Sequence, residues 1–68
     1  MNHCTRTRYT LIPGSTYRVQ FDGEEKQLTF DGRSNRLGVG MLQWHDHAGQ
    51  PFFNRVDDPD VVVIHSLA

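Results

Sequence analysis

The chain has a single cysteine, Cys4, so it cannot form an internal disulfide. A domain of 68 residues without that staple must rely on one small core or on association with another chain. The lone thiol points to a reducing compartment, and the cytoplasm is the expected location. Long apolar runs are missing too. The longest aliphatic run, Val61-Val62-Val63-Ile64, is far below the ~20 residues of a membrane-spanning helix, so no membrane contact is expected. The first residues show no charged region followed by an apolar one, which speaks against a secretory signal. No stretch has an apolar period of 3.6, which excludes an amphipathic helix of ordinary length. The serines Ser15, Ser34 and Ser66 stand in no nucleophile motif. With no cofactor fingerprint either, the chain is expected to be neither an enzyme nor a cofactor carrier.

What is present is the alternation and turn chemistry of an all-β domain. The stretch from Leu37 to Phe53 holds the only tryptophan and two of the four phenylalanines. Its His47-Ala48-Gly49 segment fits a three-residue hairpin loop whose last residue takes the left-handed conformation open to glycine. That register pairs Trp44 with Phe52 and puts Leu42 on the same face by the period of two. Met41, Gln43 and Phe53 then face the other way. A strict alternation would place Val39 on the outside, so Gly38 or Gly40 should mark a bulge or a close backbone approach.

Before this stretch, residues 1–10 are polar and read as a flexible arm, leaving residues 11–68 as the folded domain. Pro13-Gly14 is a type II turn signal, followed by a half-buried strand in which Tyr17, Val19 and Phe21 alternate with Arg18 and Gln20. Asp22-Gly23 is a turn whose loop length sets the next register. A two-residue loop would pair Val19 with Lys26, whereas a four-residue loop, Asp22 to Glu25, pairs Val19 with Leu28 and Tyr17 with Phe30. The four-residue loop keeps charge off the apolar face and is the expectation. The second strand is then Lys26 to Phe30, and residues 31–36 form a polar loop displaying Arg33 and Arg36. After Phe53, Asp57-Asp58-Pro59-Asp60 reads as a turn, and Val61 to His65 as a final strand apolar on both faces. The expected core is Leu42, Trp44, Phe52, Val19, Leu28, Tyr17 and Phe30.

Five short antiparallel strands in this order and spacing, from Thr16 to Leu67, resemble small SH3-like barrels, including the Sm-like variety. The resemblance implies a small five-stranded SH3-like barrel or strongly bent sheet, and a module that binds peptides, proteins or nucleic acid rather than a catalyst.

Charge is nearly balanced, at a net −1, but comes in blocks. Six arginines stand against one lysine, and arginine's planar fork suits carboxylate or phosphate. Two functional expectations follow. The first is a protein-interaction module, such as a mobile-element-encoded inhibitor or adaptor, that meets a protein partner or a second copy of itself through Met41, Phe53, Val61 and Val63. The second is a nucleic-acid binder using Arg6, Arg8, Arg18, Arg33 and Arg36 on phosphates, with Tyr9 or Tyr17 as a stacking platform. Overall acidity favours the first. His45 and His47 could chelate a metal only with help from His3, Cys4 or His65, in a spacing unlike known zinc motifs, so no metal site is expected.

Overall fold

The computed structural model describes residues 10–67, and the arm expected over residues 1–10 lies outside them except for Thr10. The described residues form five strands and no helix: β1 (Thr16–Phe21), β2 (Glu24–Arg36), β3 (Val39–His45), β4 (Pro51–Arg55) and β5 (Val61–Ser66). None of them therefore belongs to a helix long and apolar enough to cross a membrane. All pairings are antiparallel, in one sheet of order β4-β3-β2-β1-β5.

The all-β class and the strand count stand, but the barrel does not. No ladder joins β4 to β5 among the described residues, so the sheet is open and those two strands are its edges. It bends over its inner face without closing. The rings of Phe21 on β1 and Phe52 on β4 come within 5.8 Å. In a flat sheet those strands, three spacings apart, would be about 14 Å from each other.

Two expectations about β2 are corrected. The first turn has two residues, not four: Phe21 pairs with Glu24, Val19 with Lys26 and Tyr17 with Leu28. The charge this puts on the inner face is accommodated by Lys26 itself. Its ammonium lies 5.2 Å from the centre of the Phe52 ring and 3.7 Å from Glu24, so an apolar stem covers the sheet while the head reaches the rim. Residues 31–36, expected as a loop, continue β2 to its full 13 residues. An irregularity between Phe30 and Gly32 shifts the register, after which Arg33, Ser34, Asn35 and Arg36 pair with Leu42, Met41, Gly40 and Val39. The bulge lets one strand serve two hairpins.

The second half of the chain follows its pattern closely. Trp44 pairs with Phe52. The three-residue loop closes with Gly49 at φ +83°, and the Asp46 carboxylate accepts hydrogen bonds from the N–H groups of Ala48 and Gln50. The Pro13-Gly14 turn closes through a Ser15 N–H to Ile12 carbonyl bond of 3.0 Å. Gly40 is a close approach: a Cβ there would meet Val56 at 3.2 Å, and its carbonyl accepts from the Val56 N–H.

The core is the inner rows of β1, β2, β3 and β5, Tyr17, Val19, Leu28, Phe30, Leu42, Trp44, Val61 and Val63, with Leu11, Phe21, Phe52 of β4 and Val56 packed against it. Trp44 is its centre, fully buried and edge-on to both Phe30 at 5.1 Å and Tyr17 at 6.3 Å. Such pairs contribute roughly 0.5–1.5 kcal/mol each beyond burial.

Candidate interaction surfaces

The outer face of the sheet, opposite the core, gathers its apolar residues at one end. There β2 turns into β3 through Leu37 and Gly38, with φ of +52° and +81°. Asn35 accepts the Gly38 N–H on its side chain at 3.0 Å, which stabilises the turn locally. Leu37 is fully exposed at its tip. Behind it, alternation places Val39 and Met41 of β3 on the outer face, flanked by Ser34 and Arg36 of β2 and by Phe53 and Arg55 of β4. Arg36 reaches across β3 to place its guanidinium 5.0 Å from the centre of the Phe53 ring. Phe53 remains 41% exposed under it. Gln43 donates to the Ser34 hydroxyl at 2.8 Å, and Arg55 is held by Asp57 through two hydrogen bonds of 3.0 and 3.2 Å. The patch is thus apolar at its centre and polar at its rim.

Of the four residues expected to meet a partner, Phe53 and Met41 lie on this face. Val61 and Val63 do not lie at any surface. They are 0% and 5% exposed, because β5 pairs with β1 in a register that sets Val61 beside Phe21 and Val63 beside Val19. The row that β5 turns away from the core contains Val62, with Ile64 carried out by a register shift between Arg18 and Val19.

The three described arginines of those expected to contact nucleic acid, Arg18, Arg33 and Arg36, do not converge. Arg18 is engaged by Glu25 at 2.7 Å, Arg36 by Phe53, and Arg33 faces the opposite side of the hairpin from Arg36. Arg18 pairs with Gln27, and Arg36 lies nine residues further along β2, about 30 Å of strand. Arg6, Arg8 and Tyr9 lie outside the described residues. Tyr17 cannot serve as a stacking platform: it is 2% exposed, and its hydroxyl accepts from the Ile12 N–H and donates to the Thr10 carbonyl. His45 is held by Asp31 at 2.7 Å, and no three metal-ligating side chains gather among the described residues. His3 and Cys4 again lie outside them.

Two clefts are described. One, of about 300 Å³, is lined by Lys26, Gln27, Asp46, His47 and Phe52. The other, of about 510 Å³, lies between the β1–β2 turn and the start of β5, lined by Gln20, Asp22, Gly23, Pro59, Asp60 and Val62. The Asp22 N–H donates to the Asp60 carbonyl at 3.3 Å and ties its two sides together.

Two residues that matter here escaped the reading of the sequence. Leu37 was grouped with the strand that follows, because Leu-Gly is not a dipeptide that signals a turn; the signal lay in Asn35 and Gly38, which bracket it. Asn54 is the buried partner of Trp44, accepting the indole N–H at 2.7 Å. Its place two residues after Phe52 put it on the inner row, and a buried tryptophan needs an acceptor. Comparison with protein-family models, curated proteins and solved structures finds no match to this chain, so its own residues carry the functional reading.

Proposed function

We propose that the chain is a small non-catalytic binding module, an inhibitor or adaptor acting in the cytoplasm, that recognises another protein through the outer face around Phe53 and Met41. The observation that carries this is the exposed Phe53 ring stacked under Arg36. A solitary surface phenylalanine needs no explanation. This one adjoins Val39 and Met41, and aromatic residues, methionine and arginine are the types enriched where interfaces are most buried. The same order of strands, with β2 bent between two hairpins, supports kinship with the small SH3-like and Sm-like barrels, here with the closure undone. Those barrels serve mostly as binding modules, an argument from fold analogy. The scatter of Arg18, Arg33 and Arg36 among the described residues weighs against nucleic acid, since phosphate recognition needs several arginines along one track.

A photoreactive phenylalanine analogue placed at position 53 and expressed in the native cell tests the reading. It is expected to give a discrete adduct whose added mass is not a multiple of 7.8 kDa, and the same analogue at Glu25, on the far end of that face, should not. Absence of the adduct, or its loss on nuclease treatment together with heparin retention that falls steeply with salt, would overturn it.

A further inference from the structure

Of two features at opposite ends of β2, the cleft has no part in the Phe53 face and the tip shares only Arg36 with it. At one end, Leu37 stands fully exposed in a left-handed backbone conformation, doubly unfavourable for a leucine. Arg33 and Arg36 flank it, one on each face of the hairpin, and no acidic residue occurs between Asp31 and Asp46. At the other end lies the cleft of about 510 Å³, with Pro59 and Val62 as apolar walls and Asp22 and Asp60 as its charged groups; no basic residue lines it. Among the described residues the side chains of Arg33, Asp22 and Asp60 make no ion pair or hydrogen bond, and Arg36 makes no ion pair and lies against the Phe53 ring.

We propose that Leu37 of one molecule docks in the Asp22–Asp60 cleft of a second copy, its flanking arginines meeting the two aspartates. An apolar tip between two cations faces an apolar-walled cleft carrying two anions, so each supplies what the other lacks. Within one chain the contact is not made: Leu37 is fully exposed, and the cleft lies beyond the other end of the 13-residue β2. Because the two surfaces differ, the contact is head-to-tail and leaves one tip and one cleft free on every dimer. Repetition therefore gives a ring or an open chain of copies.

Sedimentation velocity on the full chain, from micromolar to millimolar concentration, provides the test. The wild type is expected to grow in mass with concentration and to dissociate as salt rises. Leu37→Asn, and separately Asp22→Asn with Asp60→Asn, should each weaken association by about tenfold or more. An equimolar mixture of these two variants is the decisive sample: one retains the cleft and the other the tip, so it should form a 1:1 dimer and stop there. Emission from the buried Trp44 reports that each variant is folded, and Asp60→Asn alone replaces the double variant if that one is not. A wild type that stays monomeric throughout overturns the proposal. So does association that survives both variants, or a mixture of folded variants that stays monomeric. Of the Phe53 face only Arg36 enters this contact, so the adduct expected at position 53 is read separately on the Asp22→Asn, Asp60→Asn variant, which keeps Arg36 and Phe53 unchanged.

Discussion

The turns at the two ends of β2 share a backbone and differ in chemistry. Asp22-Gly23 has φ values of +51° and +85°, Leu37-Gly38 of +52° and +81°, in both cases the two-residue geometry that matches the twist of paired strands. At the first turn the non-glycine position is an aspartate, one of the few residues that tolerate the left-handed region. At the second it is a leucine, which gains nothing from that conformation and is fully exposed to water. Closing a hairpin thus accounts for Asp22 but not for Leu37. The difference teaches that the same turn backbone explains the residue at one end of β2 and leaves the residue at the other end unexplained.

The comparison rests on both hairpins belonging to one cooperative unit, and the strongest way to break it is through the core they share. Trp44→Ala removes the ring that touches Phe30 of β2 and Tyr17 of β1, and takes from the Asn54 Oδ1 the indole N–H it accepts. A loss of about 3–5 kcal/mol is expected, enough to unfold much of a domain this small. Hydrogen exchange should show amides of both hairpins losing protection together; protection kept in one alone would mean that the turns report on separate units.

A smaller change tests the claim that the backbones are equivalent. A Cβ added at Gly23 or at Gly38 meets nothing within 4 Å, so only the positive φ penalises it. Gly23→Ala and Gly38→Ala should therefore each cost about 1–2 kcal/mol, and by similar amounts, in the urea midpoint. Unequal costs would show that contacts, not conformation, set the two turns apart.

The smallest effect bears most directly on Leu37. Replacing it by asparagine supplies the residue this turn prefers, and Leu37→Asn should raise stability by about 0.5–1 kcal/mol, or several degrees in Tm, at concentrations where the chain is monomeric. Asp22→Asn at the matching position should change it by less than about 0.5 kcal/mol. A destabilised Leu37→Asn would show that the leucine serves the fold after all.

Most of the β3–β4 half of the molecule was legible from its residues. Trp44 opposite Phe52, the loop ending at Gly49 and the inward Leu42 all follow from a period of two and a turn whose chemistry is contained within it. The β1–β2 half was legible in its parts and wrong in its register. Keeping charge off the apolar face favoured a four-residue loop, but Lys26 is charged only at its end, and its stem lies over Phe52, a residue 26 positions away in the chain. The candidate surface divides in the same way. Phe53 and Met41 were placed on the outer face by alternation, whereas the β5 pair was assigned to the wrong row.

The turns at Pro13-Gly14, Asp22-Gly23 and Gly49 and the inner rows of β1, β3 and β4 depend on neighbours within a few residues, and the amino-acid sequence alone determined them. The sheet decided the rest. Whether Val61 and Val63 or Val62 and Ile64 face inward cannot be read from a strand apolar on both sides, because the choice belongs to its pairing with β1. The continuation of β2 through residues 31–36 likewise depends on a partner strand that follows it. The exposure of Leu37 results from that same pairing, which leaves only two residues to turn the chain.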